Sequence, residues 1–209
     1  DLFIDFEGPK DEARDYRREL DLSRAVQTIE YKKGGITFLR EAFASRPGNV
    51  MVFRFAADRP RALSGRISIR DAHDGEIVVS GNELGFSGRL WGKHSLSGGT
   101  GSKDENYAIR LQYEARARVV NVGGSLEAKG NSIAFKDCDR LLVFITADTD
   151  YLNRHDKGWR GEHPHAGIVD RLKRAASKTW DELLTAHIKD YQALFNRFTL
   201  QLGESPADA

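Results

Sequence analysis

The sequence predicts a mainly β domain, antiparallel and closed as a sandwich or barrel, with a helical segment after it. Three observations predict this. Short β-branched and aromatic runs recur at roughly ten-residue spacing with turn residues between them. Tyr107 to Val119 alternates strictly between apolar and polar residues. Beyond Asp148 the apolar period changes from two to 3.6.

The elements follow in order. Leu2 to Phe6 is a short strand ended by Gly8-Pro9, and Lys10 to Asp15 is a charged connector. Tyr16 to Leu22 is extended, with Arg17, Arg18 and Glu19 read as a solvated or ion-paired edge. Ala25 to Ala57 is a meander. Its strands, Ala25 to Lys33, Ile36 to Ser45 and Val50 to Ala57, are joined by the turns Gly34-Gly35 and Pro47-Gly48-Asn49. Val50 and Val52 are apolar, as are Met51, Phe53 and Phe55, so the third strand is expected to be covered on both faces. Leu63 to Arg70 alternates. Asp74-Gly75 reads as a hairpin turn, and Glu76 to Ser80 and Leu84 to Trp91 are two further strands.

Gly92 to Glu105 is too rich in glycine and serine to form a core of its own. In the strand from Tyr107, Ile109, Leu111, Tyr113, Ala115, Ala117 and Val119 are expected on the core. Arg110, Gln112, Glu114, Arg116 and Arg118 are expected in water. Ser125 to Ala128 and Ser132 to Phe135 flank Gly130-Asn131, and Leu141 to Ile145 lacks alternation, as a strand buried on both faces does. Thr149 to His165 is polar and irregular. Ile168, Val169, Leu172 and Ala176 then form one helical stripe. Trp180, Leu183, Leu184, His187, Ile188, Tyr191, Leu194 and Phe195 form a second, opened by a capping box at Thr179 and Glu182. Phe198 to Leu202 reads as a last extended piece. The expected division is a β domain over 1–150, a helical linker over 151–198 and a connection over 199–209.

Composition narrows the function. Lys and Arg number 32 against 31 Asp and Glu, so no net field attracts nucleic acid or an anionic membrane. No apolar run is long enough to span a bilayer. The 209 residues can bury a core without disulfides, and the single Cys138 cannot form one internally. Asp137 and Asp139 flank that thiol, which argues against a nucleophile. Gly98-Gly99 and Gly123-Gly124 do not stand between a strand and a helix, so phosphate binding is not indicated.

Two loops are candidate sugar contacts. In the first, Trp91 offers an aromatic face and His94 a hydrogen bond, with glycines that let a backbone approach; the alternative is a surface loop anchored by Trp91. The second, His155 to His165, holds Trp159, Glu162, His163 and His165, and aromatic faces bury the C–H groups of carbohydrates. His163-Pro164-His165 beside Asp156 lacks the paired spacing of a zinc site and reads as a helix entry. No metal or cofactor is expected.

YRRELDL, the run ending at Tyr31, ITFLREAFAS and NVMVFRF together resemble the N-terminal domain of family 95 glycoside hydrolases, the α-L-fucosidases. HIKDYQALFNRFTLQLG, from His187 to Gly203, is similar to the segment leading from that domain into the catalytic barrel. The resemblance implies a β-sandwich of the super-sandwich type and a helical linker. It also implies a partner in the same parent chain, an (α/α)6 barrel carrying a glutamate acid and an asparagine base activated by an aspartate. None of those catalytic motifs occurs in residues 1–209, so the resemblance assigns no catalytic residue here. It further implies fucosylated glycans as ligands and a periplasmic or secreted parent. Asp1 has no methionine or signal peptide before it and opens directly into the strand Leu2 to Phe6, so a chain cut or processed at its start is expected. A stand-alone carbohydrate-binding module and a structural sandwich are the alternatives.

Overall fold

The computed structural model describes residues 1–90, 111–200 and 203. The strands in chain order are β1 (Leu2–Glu7), β2 (Arg14–Asp21), β3 (Val26–Lys33), β4 (Ile36–Ser45), β5 (Val50–Ala57), β6 (Leu63–Ile69), β7 (Glu76–Ser80), β8 (Glu83–Arg89), β9 (Gln112–Val122), β10 (Ser125–Lys129), β11 (Ser132–Cys138) and β12 (Arg140–Thr149). Two helices follow, α1 (His165–Ala176) and α2 (Trp180–Phe195). Among the described residues no helix is long and apolar enough to cross a membrane.

Pairing is antiparallel, in two sheets: β1-β6-β11-β10, and β2-β3-β4-β5-β12-β9-β8-β7. The meander expected over residues 25–57 is present as β3-β4-β5. Gly34 and Gly35 turn it at φ 57° and 71°, a pair of left-handed conformations that glycine adopts without a steric penalty.

Between the sheets lies the larger core. Leu63, Ile67, Ile133 and Phe135 of the small sheet meet Leu84, Ala117, Val119, Leu141 and Val143 of the large one. A second core lies on the outer face of the large sheet, where Val50, Val52 and Phe144 meet Ile168, Leu172, Trp180 and Leu183 of the helices. The molecule therefore has three layers: small sheet, large sheet, helices. This explains the two strands without alternation. Val143 sits opposite Phe53 and faces the sandwich, while Phe144 sits opposite Val52 and faces the helices. Full burial of a side chain such as Phe144 contributes about 2–3 kcal/mol, so β5 and β12 gain from both faces.

The helices are placed by their own sequence. Pro164 occupies the N-cap of α1, where a missing N–H costs nothing. Thr179 and Glu182 form the expected capping box of α2, each bonded to the other's backbone N–H. The buried side chains of α2 are Trp180, Leu183 and His187, and the stripe then leaves the sheet, with Leu194 and Phe195 exposed. His187 donates Nε2–H to the carbonyls of Arg24 and Ala25 at 3.0 and 3.1 Å and stacks on Phe43.

Three sequence expectations are corrected. Asp71 to Gly75 is not a hairpin turn, because β6 and β7 lie in different sheets and the segment carries the chain from one to the other. The outer face of β9 is not uniformly wet: α1 covers it, and Glu114 is only 2% exposed. Among the described residues Phe198 to Leu200 has no strand partner and no regular structure, and the rest of that expected piece, Gln201 and Leu202, lies outside them.

Candidate functional site

One end of the large sheet gathers the roots of both candidate loops. At that end Arg89 pairs with Gln112, Gly88 with Tyr113, and Tyr113 with Thr149. Trp91 and His94 lie outside the described residues. The second loop, His155 to His165, is reached from the end of β12 through Asp150 to Arg154.

That loop is closed by its backbone. Asp150 is buried, and its carboxylate accepts the Gln112 N–H at 3.0 Å. Its own N–H donates to Gln112 O at 3.0 Å, and its carbonyl accepts the Gly161 N–H at 2.6 Å. Leu152 N–H donates to Trp159 O, and Trp159 N–H to Arg154 O. A single 3-10 turn, His155–Lys157, sits at the tip, tied by Arg154 to Asp156 through two hydrogen bonds of 2.8 and 2.6 Å.

Gly158 and Trp159 both have left-handed backbones, at φ 60° and 62°. For a bulky residue such as tryptophan that conformation is strained. It sets the Trp159 ring beside Tyr151 with parallel planes and centroids 6.5 Å apart, and His155 lies edge-on at 5.8 Å. Trp159 is 39% exposed and Tyr151 56%. Two parallel, solvent-facing aromatic rings suit the apolar face of a sugar ring. Tyr151 had no signal of its own in the sequence. It joins Trp159 through the isolated bridge between Tyr151 and Arg160.

His163 and His165 converge on Glu114. His165 Nδ1 lies 3.0 and 3.2 Å from the two carboxylate oxygens, and His163 Nδ1 lies 3.8 Å from Oε2. Arg116 Nε donates to Glu114 as well. Arg116 also reaches Glu83 at 3.7 Å, and Arg118 Nε donates to Glu83 at 2.6 Å. Burial pushes the Glu114 carboxyl up. Hydrogen bonds from Arg116 and His165, with their charges, push it further down, and it rests below the usual carboxylate range. Glu114 is therefore a fixed anion under the start of α1. Its oxygens, like those of Glu83, are already engaged, which is not the setting of a proton-shuttling acid.

Nearby, Tyr113 donates its hydroxyl to Asp71 at 2.6 Å, and Asp71 also accepts the Gly75 N–H at 2.7 Å. Burial and that carboxylate push the Tyr113 phenol up to about 12. Burial likewise pushes the Cys138 thiol up, away from reactivity. Among the described residues no group of three or more His, Cys, Asp and Glu is placed to hold a metal ion.

The chain is similar to two curated proteins and, in fold, to one solved structure. The chain is 26% identical to Alpha-L-fucosidase 2 of Arabidopsis thaliana, over 98% of this chain and 26% of the plant protein. It is 29% identical to a protein named Probable alpha-fucosidase A of Aspergillus niger, over 93% of this chain and 24% of the fungal one. It thus spans about a quarter of the length of these curated relatives. Among solved structures, a putative kojibiose phosphorylase from the human microbiome superposes with a TM-score of 0.57 at 12% identity, covering 93% of this chain and 27% of that one; the likeness is one of fold. Residues 1–154 match the family model described as glycosyl hydrolase family 65, N-terminal domain, and the chain belongs to that family.

Proposed function

We propose that residues 1–209 form the N-terminal β-sandwich domain of an exo-acting α-L-fucosidase. In this reading the domain braces a catalytic (α/α)6 barrel carried elsewhere in the parent polypeptide and lends its loops to the rim of the pocket. The observation that carries the reading is the alignment: almost the whole of this chain matches about a quarter of proteins named α-fucosidases. The exposed Leu194, Phe195, Phe198 and Leu200 at the end of α2 add support, since a barrel packed there would cover them. A periplasmic or secreted parent goes with the same reading.

The purified 209-residue chain is expected not to hydrolyse nitrophenyl α-L-fucoside. Turnover by that chain, abolished by a single carboxylate substitution within it, would overturn the non-catalytic role.

A second reading, a sugar-binding module, is favoured by the parallel rings of Tyr151 and Trp159. Calorimetry with fucosylated oligosaccharides separates the two. Heat of binding lost in Trp159→Ala, with the unfolding midpoint kept, supports the module; no binding by the wild-type chain leaves bracing as the role.

A further inference from the structure

We infer that the outer edge of β1, unpaired among the described residues, is an acceptor site for one more β-strand, supplied by a part of the parent polypeptide outside residues 1–209. The two sheets are unequal, four strands against eight. The small sheet begins at β1, and Phe6 of β1 packs on Phe55 of β5 at 5.3 Å, with the Arg40 guanidinium of β4 at 5.1 Å from its ring. β1 therefore lies over β4 and β5. Cross-strand neighbours share a face, so the register Leu20, Gln27, Ala42, Phe53 puts Leu20 and Gln27 on the sandwich side with Phe53. Among the described residues no strand lies over the sandwich side of β2 and β3. Two adjoining recesses of about 490 and 430 Å³ open there, both lined by Ile4, Phe6, Ile29 and Arg40.

The backbone of β1 says what fits the recess. Asp1 and Arg70 exchange both main-chain hydrogen bonds. In an antiparallel pair such exchanges alternate along the strand. Phe3, Asp5 and Glu7 therefore bond to β6, while the N–H and C=O groups of Leu2, Ile4 and Phe6 point to the free edge. The side chains of these same three residues line the recesses. An edge presenting main-chain donors and acceptors in this repeat is complementary to another polypeptide strand; a glycan has no matching repeat. Arg40 spends one donor on the Tyr31 hydroxyl at 2.9 Å. A guanidinium carries five N–H donors, so it can also take a carbonyl or carboxylate oxygen of the incoming strand.

The proposal rests on the reading of this chain as one domain of a longer protein. A single six-residue strand pairs only marginally from free solution. Tethering in the same polypeptide raises its effective concentration to the millimolar range or above, which is why the occupant is assigned to the parent chain.

Residue-resolved amide hydrogen exchange tests this. In the 209-residue chain, Phe3, Asp5 and Glu7 are expected to be protected and Ile4 and Phe6 to exchange close to the unprotected rate. In the protein encoded by the whole reading frame, Ile4 and Phe6 are expected to slow by at least about 100-fold, as amides in a paired core strand do. A longer protein in which Ile4 and Phe6 exchange as fast as in the 209-residue chain overturns the acceptor site alone. A reading frame confined to residues 1–209 overturns the multidomain reading and the site with it. A longer protein that protects both amides yet cleaves no α-L-fucoside keeps the site and removes the fucosidase assignment.

Discussion

His165 Nδ1 lies 3.0 Å from Glu114 Oε1 across 51 positions of sequence, and the pair fastens the start of α1 to the first residues of β9, near one end of the large sheet. Arg116 holds the same carboxylate from within β9. Replacing Glu114 with Gln keeps the shape and removes the charge. It leaves part-buried Arg116 and half-exposed His165 facing a neutral amide. The expected loss is about 1.5 kcal/mol, read as a lower urea midpoint with an unchanged slope. The pH dependence has a definite sign. The Glu114 carboxyl is held below its ordinary value, so its contribution is complete above the ordinary carboxylate range and fades as pH falls through the lowered value. Unfolding measured from pH 7 downward is expected to show a shallower acid limb in Glu114→Gln than in the wild type. Parallel limbs would show that Glu114 is not the linked group.

Tyr113 and Asp71 give the opposite limb. The phenol is raised from 10.0 to about 12 by burial and by the carboxylate that accepts its proton. Its contribution to stability is complete below about pH 10 and is lost as pH rises toward 12. Absorbance titration at the tyrosinate band is expected to show one of the 6 tyrosines ionising late. Tyr113→Phe should remove that late component. Asp71→Ala should bring it down toward the ordinary phenol range.

Much of the fold was legible in the sequence, because the relevant signals are local. Gly34-Gly35 and Pro47-Gly48-Asn49 specify their turns by backbone chemistry. Leu141 to Ile145 announces two covered faces by its lack of alternation, although only the structure shows that one cover is a sheet and the other a helix. The burial of Glu114 was not legible. Strict alternation tells which residues share a face, but not whether a helix more than fifty positions away will lie on the polar one. The Asp74-Gly75 turn misled for a related reason: turn residues report a change of direction, and a chain changes direction equally when it passes between sheets. Trp159 was visible as a candidate contact, but its left-handed backbone and its parallel partner Tyr151 depend on closure of the loop on Asp150.

The capping box of α2 carries a smaller, cleaner prediction. Thr179 accepts the Glu182 N–H at 3.2 Å, and Glu182 accepts the Thr179 N–H at 2.7 Å. Thr179→Ala removes one of the two bonds and should lower stability by about 1 kcal/mol. Since α2 packs on β4, the loss should appear in the global urea transition. An effect confined to helical circular dichroism, with the midpoint unmoved, would mean that α2 frays independently of the sandwich.

Gly65 is the position in β6 where the backbone tolerates least. Its φ of 153° is one that side-chain-bearing residues rarely adopt. Phe6 and Phe135 are its register partners on either side. A methyl group added there would overlap the Asp5 carbonyl oxygen, well inside their contact distance, and come 2.8 Å from Phe135 Cζ. The first contact is backbone, which cannot swing aside as a flexible side chain can. Relief requires β1 to move off β6 or Phe135 to leave the core. Gly65→Ala is therefore expected to cost about 3 kcal/mol, as strained positions with a core clash do. Gly8→Ala is the control. Its added methyl meets nothing within 4 Å, and the change should stay within about 0.5 kcal/mol. Equal urea midpoints for the two variants would show that β1 yields freely at Asp5, and that the junction of β1 with β6 is softer than its register implies.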